Sequence, residues 1–234
     1  MSRSKNAWKE FFQDKKHGGH RYSDEEFLAM EAKEKLFHLD GGKTLLDFGC
    51  GAAELLVFYA SKYDRLVGVD FSESMLGQAG IRITEKKCSN IELILADDKT
   101  VWEKVNSKFD RITAAGVIQY LTFEEIDNFI LNSSKHLNNN GKIVLFDILD
   151  PRLYLLWKIG YFSENAGPGD ILLKIGYQFK NMLLASLQNR PRDILGIAHN
   201  STKLQEVVEK HGFKMIRVQS MYYEYKYHAI IFRS

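Results

Sequence analysis

Short apolar runs alternate with longer amphipathic stretches from residue 44 onwards, and this pattern predicts strands that alternate with helices. The apolar runs predict buried strands, at 44–48, 65–69, 91–95, 109–115 and 142–146. The stretches between them predict helices, at 54–63, 72–85 and 123–137. Ser72 can cap the second of these helices, and a turn at Asn138–Gly141 precedes the fifth strand. Such alternation is typical of βαβ units around a parallel sheet.

The residues before the first strand differ from this alternation. Residues 1–43 are predicted to form an N-terminal helical lid segment. A helix is expected from Ser23 to Leu39, because Ser23 can cap it and Glu26 stands three residues further on, which is the spacing of a capping box. The α/β core is then expected to occupy residues 44–150.

The second half of the chain breaks the pattern once and then resumes it. Aromatic and aliphatic residues cluster in residues 151–198, which are predicted to be an inserted helical cap. Residues 199–234 predict a helix at 201–210 and two strands, 213–219 and 223–232, joined as an antiparallel pair. The predicted fold class is therefore α/β: a doubly wound, mostly parallel seven-stranded sheet with a C-terminal antiparallel hairpin and an inserted helical cap.

Composition narrows the class of protein but not its chemistry. With 45% hydrophobic residues in 234, the chain can bury the core of one large domain. Lys and Arg total 32 against 30 Asp and Glu, so bulk charge gives no reason to expect a nucleic-acid partner. Two cysteines and the lack of a signal-like or membrane-spanning stretch lead us to expect a cytoplasmic protein. The histidines lack metal-ligand spacing, so no metal is expected.

The strongest chemical signal is the turn Asp47-Phe48-Gly49-Cys50-Gly51, which joins the first strand to a helix. Glycines let a ligand approach the backbone, and a helix N-terminus favours a carboxylate. Asp70 ends the next strand, 23 residues after Asp47 (70 − 47), where an acid can accept hydrogen bonds from ribose hydroxyls. A nicotinamide dinucleotide fold would place glycine or alanine where Glu54 stands, so a ligand without phosphates is favoured.

Further stretches follow this turn in an order that resembles the class I S-adenosylmethionine-dependent methyltransferases. The turn resembles the first motif of that family, and the resemblance covers roughly residues 40–150. The later matching stretches begin with the acidic second motif and end with the fifth-strand motif: Gly68–Leu76, Ala96–Asp98, Phe109–Leu121 and Leu137–Val144.

The resemblance implies S-adenosylmethionine as the cofactor. The glycine turn would hold its methionine part, the acid at the end of the second strand its ribose, and the residues after that acid its adenine. The third acidic motif would meet the adenine amino group, and the end of the fourth strand would line the floor near the sulfonium. The positions expected to bind the cofactor are Asp47, Gly49, Cys50, Gly51, Asp70, Phe71, Met75, Asp97, Asp98, Ala115 and Gly116.

Structural interpretations of these positions stay open. The glycine turn could be only a tight strand–helix connection, and Asp70 could be a helix cap. Asp97 and Asp98 could be turn residues, and Phe71 and Met75 could belong to the core.

The sequence departs from the family pattern in two places. The family often has a third glycine where Ala53 stands, and often has a histidine near Gln119 or Tyr120. The second departure removes an obvious general base from that spot.

The acceptor side of the reaction depends on weaker signals. Tyr22, Gln119, Tyr120 and Tyr223 fall where the family often places substrate contacts. His199 is the candidate general base for a hydroxyl acceptor, because it lies between the cap and the last helix and could face the pocket.

These observations predict a methyltransferase that acts on a small-molecule acceptor, such as a hydroxyl of a sugar or of a metabolite precursor. Three alternatives stay open: a lipid-linked acceptor, an RNA or protein acceptor, and a non-catalytic cofactor-binding or scaffold protein with the same fold. The cap is weakly basic, which permits a membrane surface as partner, but a lid over the reaction is favoured. The sequence leaves the oligomeric state open.

Overall fold

The computed structural model describes residues 24–162, 167, 169–177, 180 and 196–233. A seven-stranded sheet runs through the described part of the chain in the order β3-β2-β1-β4-β5-β7-β6. Strands β1 to β5 pair in parallel, and β7 pairs antiparallel with both β5 and β6. The predicted fold class is thereby confirmed. The strands are β1 Thr44–Phe48, β2 Arg65–Asp70, β3 Ile91–Leu95, β4 Phe109–Ala115, β5 Leu137–Leu149, β6 Phe213–Gln219 and β7 Lys226–Arg233.

Helices cover both faces of the sheet. They are α1 Glu25–His38, α2 Leu56–Tyr59, α3 Glu73–Glu85, α4 Val101–Lys104, α5 Phe123–Lys135, α6 Pro151–Lys158 and α7 Ser201–Lys210, with a 3-10 turn at Ile118–Tyr120. Residues 169–177 are also helical. Among the described residues, no helix has the length and apolar character that crossing a membrane requires.

Polar side chains fix where several helices begin. Ser72 caps α3 as predicted, because its side chain accepts a hydrogen bond from the Met75 N–H. The predicted cap of α1 is wrong. Asp24, not Ser23, holds that position, and its carboxylate accepts from the N–H groups of Glu26 and Phe27.

The helix predicted over 54–63 is shorter than expected, since α2 spans only Leu56–Tyr59. Residues 54 and 55 form a turn after Ala53, whose φ is +58°, and further turns at 60–62 follow the helix. The last strand is also shorter, because it begins at Lys226 and not at residue 223.

The Asn138–Gly141 stretch was predicted to be a turn, but it lies inside β5. The pairing of β4 with β5 jumps from Phe109–Leu137 to Arg111–Lys142, so the asparagine run forms an irregularity within the strand. The carboxylate of Asp110 stabilises it, since the Asn138 side-chain amide donates to Oδ1 at 2.7 Å.

Two apolar clusters, one on each face, form the core of the sheet. Alternate residues of β5 point to opposite faces: Ile143 and Leu145 belong to one cluster, and Val144 and Phe146 to the other. Helices α5 and α7 cover the first cluster, whereas α1, α2 and α3 cover the second. This is the doubly wound arrangement that near-continuous apolar strands require.

An ionic network is buried where α1 crosses β5 and β7. Lys35 Nζ lies 2.7 Å from Glu31 Oε1 and 3.1 Å from Asp147 Oδ2, and all three side chains are inaccessible to solvent. The Asp147 N–H donates to His228 Nδ1, so Nε2 of that ring carries the proton that faces Glu34 Oε1 at 3.1 Å. The network joins α1 to β5 and β7.

Replacing Lys35 by Met removes the ammonium from this network. We expect the free energy of unfolding to fall by about 3 kcal/mol or more, because carboxylates of the buried network lose the cation that they contact. Urea denaturation at neutral pH measures this change. Lys33→Met is the matched control, since Lys33 lies exposed on the same helix, and it should change stability by about 0.5 kcal/mol or less. Equal effects of the two substitutions would contradict the assigned role.

Candidate cofactor site

The loop after β1 is held against β2 by its own backbone. The carbonyl of Val69 accepts hydrogen bonds from the N–H groups of Gly49 at 2.7 Å and Cys50 at 2.9 Å. Gly49 has a φ of +76°, and a Cβ there would overlap Val117 Cγ2 in the loop after β4. The first position of this loop therefore needs glycine for both conformation and space.

Asp70 organises the carboxyl edge of β1 and β2. Its Oδ2 accepts from the Gly51 N–H and its Oδ1 from the Ser72 N–H, each at 2.9 Å. Burial raises the pKa of this carboxyl, while the backbone donors of Ser72, Gly51 and Phe71 act in the opposite direction. The carboxylate is thus fixed by two loops and still has lone pairs for a ligand.

Gly51 leaves open space beside that carboxylate. It has a φ of +55°, and a Cβ at this position would meet nothing within 4 Å. The loop therefore presents bare backbone next to Asp70, which suits the close approach of a ligand.

The other groups of the first motif are buried in the same region. Asp47 and Glu54 are both largely buried. Burial, reinforced by the charges of Asp47 and Asp70, raises the pKa of the Cys50 thiol well above its usual range. A thiol in that state is protonated at neutral pH and is a poor nucleophile.

The residues after β2 and β3 have definite local roles. Met75 is buried in the first turn of α3, and Phe71 is partly buried beside it. Asp97 Oδ1 accepts from the N–H groups of Lys99 and Thr100, both at 3.2 Å, so it stabilises the turn that leads into α4. Asp98 next to it is half-buried. The adenine contacts assigned to these residues stay predictions.

The end of β4 lies against β5 at the same edge of the sheet. The Gly116 N–H donates to the Phe146 carbonyl at 3.0 Å, and Ala115 pairs with Phe146. The 3-10 turn that follows buries Gln119, whose Oε1 has no hydrogen-bond partner in the described part of the chain. Tyr120 is half-buried beside it.

His199 is buried where the segment 196–200 crosses that turn. Its Nε2 lies 3.0 Å from the Ile118 carbonyl, and the Phe123 ring meets it edge to face. Within the described residues, Nδ1 has no hydrogen-bond partner. Burial lowers the pKa of this imidazole, against the opposing effect of the Ile118 and Leu121 backbone. The ring is neutral near pH 7, but its role as a base stays a prediction.

Tyr223 and Tyr22 are the remaining predicted acceptor contacts. Tyr223 belongs to a small cluster with Tyr154 and Tyr225 next to α6, and Lys226 Nζ stands 3.7 Å from the centre of its ring. Tyr22 lies outside the described residues.

Sequence reasoning missed two features of this edge. Val117 closes over Gly49, and the segment that carries His199 is tied to the 3-10 turn because the Ile197 N–H donates to the Gln119 carbonyl at 2.6 Å. Gly196, which has a φ of +101° and packs on the Gln119 backbone, was the one local signal for the second feature.

The comparisons with known proteins agree with this geometry. Residues 45–141 match a family model described as a methyltransferase domain. The chain is 26% identical over 189 residues to cyclopropane mycolic acid synthase 3 of Mycobacterium tuberculosis. The alignment covers 80% of this chain and 60% of that protein. This chain therefore spans less than two thirds of that relative's length.

Two solved structures have similar folds. Magnesium protoporphyrin IX methyltransferase from Synechocystis PCC 6803, with S-adenosylhomocysteine bound, aligns with a TM-score of 0.59 at 16% identity, over 98% of this chain and 93% of that one. A mycolic acid cyclopropane synthase in complex with S-adenosylhomocysteine and CTAB aligns with a TM-score of 0.60 at 21% identity, over 93% and 74%. At these identities, the two alignments establish the fold alone.

The strand order, the glycine loop after β1 and the acid at the end of β2 define the fold class of the class I S-adenosylmethionine-dependent methyltransferases. The match over residues 45–141 makes this part of the chain similar to a methyltransferase domain.

Two glycine substitutions distinguish the steric cost of a Cβ from the cost of a left-handed backbone in the loop after β1. Gly49→Ala should lower the free energy of unfolding by about 2 kcal/mol or more, because it adds overlap with Val117 to a left-handed backbone. Gly51→Ala carries only the conformational cost, about 1 kcal/mol, since its Cβ meets open space. Denaturant unfolding of both variants tests the difference, and equal losses would contradict the packing described here.

Proposed function

We propose that this protein transfers a methyl group from S-adenosylmethionine to a small-molecule acceptor. The observation that carries the proposal is Asp70, a buried carboxylate fixed by the Gly51 and Ser72 N–H groups at the edge where β1 and β2 end. A carboxylate in that place can accept hydrogen bonds from two ribose hydroxyls without a change in its own geometry.

The electrostatics of the loop favour this cofactor over a dinucleotide. Glu54 is buried just after the glycine turn, and Asp47 is buried just before it. Carboxylates there would repel a pyrophosphate, whereas they would attract a ligand that carries an ammonium and a sulfonium. The open space at Gly51 gives room for such a ligand beside the backbone.

Each of these residues would contact a different part of the cofactor. Asp47 would attract the ammonium of the methionine part, Asp70 would hold the ribose, and Met75 would pack on the adenine. Ala115 and Gly116 would form the floor beneath the reacting methyl group. When bound, the cofactor supplies an activated methyl group, so the protein's task is to align the acceptor in line with it and to exclude water.

The acceptor stays the less constrained half of the proposal. Gln119 is buried beside the proposed floor, and its Oε1 has no hydrogen-bond partner among the described residues, which suits a donor group on a small polar acceptor. A lipid acceptor is the second candidate, because the mycobacterial relative is named as a synthase of cyclopropane mycolic acids. A screen with labelled methyl donor should therefore contain hydroxylated metabolites and unsaturated phospholipids side by side.

Isothermal titration with S-adenosylhomocysteine tests the cofactor. The wild type should bind it and should not bind NAD, and Asp70→Ala should weaken binding about tenfold or more, since two charge-assisted hydrogen bonds are lost. Asp64→Ala is the matched control, because Asp64 lies exposed just before the start of β2, at the opposite end of that strand. Absence of binding by folded wild-type protein would overturn the proposal.

His199 can be tested as the base once a hydroxyl acceptor is found. A base must be neutral, and burial lowers the pKa of His199 below its usual 6.5, so activity should be level near neutral pH and fall as the pH drops through that lowered value. His199→Gln should lower kcat about a hundredfold or more and remove this acidic limb. An unchanged kcat with reduced stability would assign His199 a structural role instead.

A further inference from the structure

The helical segment at residues 169–177 turns its apolar side outward. Leu172 is 69% exposed, Leu173 74%, Ile175 44% and Tyr177 62%. Ile171 is the one described apolar residue of the segment that is only partly exposed. A helix on the surface of a water-soluble domain normally shows the reverse distribution.

The exposed residues form one continuous face. At 100° per residue, Ile175, Leu172, Leu173 and Tyr177 follow one another around the helix over an arc of about 200°, with Ile171 just outside one end of it. We call these four residues the outward face. Large contiguous apolar areas of this kind mark interaction sites in soluble proteins.

Basic residues border the outward face. Around the helix, Tyr177 is followed first by Asp170, whose carboxylate accepts from the Gly167 N–H at 3.1 Å, and then by Lys174. Lys180 is also exposed. Lys174 Nζ lies against Gly160, which places the segment next to the end of α6, where Lys158 lies. In this part of the described chain, Asp170 is the one acidic residue against these cations.

We propose that the outward face docks on an anionic phospholipid surface. Apolar side chains flanked by lysines are the combination by which a helix lies in the headgroup region of a bilayer. Lysines near the surface are attracted by anionic headgroups, and aromatic rings such as Tyr177 prefer the interface. The charge of the border distinguishes this partner from a purely apolar one.

The position of the segment indicates which side of the protein would face the membrane. Helix α6 begins directly after β5 ends, so the chain that leads to the outward face leaves the sheet at its carboxyl edge. Asp70 is the last residue of β2 and Gly116 follows the last residue of β4, so both lie at that same edge. A docked protein would therefore carry its candidate site on the side from which this membrane-facing segment extends.

Sedimentation with vesicles tests the proposal without cofactor or turnover, so its result is independent of the proposed function. The full chain should sediment with vesicles of phosphatidylglycerol and phosphatidylcholine in equal parts, and more weakly with phosphatidylcholine alone. Leu173→Asp should reduce the bound fraction at limiting lipid about tenfold or more, because it removes apolar contact and adds like charge. Lys174→Glu should remove most of the preference for the anionic vesicles.

Ile81→Asp is the matched control. Ile81 is 63% exposed on α3, so the substitution is similar in size, charge and setting but lies outside the outward face. It should bind vesicles as the wild type does. The proposal is overturned if the wild type does not sediment with anionic vesicles, or if Leu173→Asp and Ile81→Asp bind equally. It is also overturned if sedimentation velocity shows a dimer that Leu173→Asp dissociates, since the face would then join two copies.

Discussion

The hydrogen bonds from Gly51 and Ser72 to the carboxylate of Asp70 are the constraint on which the candidate site depends. They join the loop after β1 to the start of α3, so two elements that are far apart in sequence share one acceptor. Burial of the carboxyl is costly, and the backbone donors offset that cost. Because both donors are backbone groups, the arrangement fixes the path of the chain as well as one side chain.

A second set of buried ionic groups is stabilised by its partners where α1 packs on β5 and β7. Lys35 lies between Glu31 and Asp147, and Asp147 adopts a φ of +60° to reach it. A left-handed aspartate in the middle of a strand is strained, and strain persists where surrounding contacts determine it. The register of β5 against β7 shifts between Leu145 and Ile148, so the strand accommodates the network by an irregularity and not by a turn.

The parts that could be predicted from the sequence are those that depend on local pattern. Apolar runs indicate buried strands, and the position of Asp70 after one such run could be read from the sequence. The start of helix α2 was predicted too early, since the left-handed Ala53 in the turn before it is not a glycine and gives no sequence signal. The length of β5 and the position of Asp147 depend on partners 28 to 112 residues away, Asp110, His228 and Lys35, which local pattern cannot supply.

The acceptor side is harder to predict for the same reason. The segment 196–200 brings His199 next to Ile118 and Gln119. The His199 N–H of this segment donates to the Leu149 carbonyl, and the His199 carbonyl accepts from the Tyr227 hydroxyl. Gly196 packs on the Gln119 backbone so closely that a Cβ would not fit, so the segment and the 3-10 turn must move together. The segment follows directly on residues 151–195. Any displacement of the segment 196–200 would therefore shift Gln119, whereas the Asp70 hydrogen bonds belong to other elements. The contacts around Asp70 are thus built within the sheet edge, whereas those around Gln119 and His199 depend on the segment 196–200.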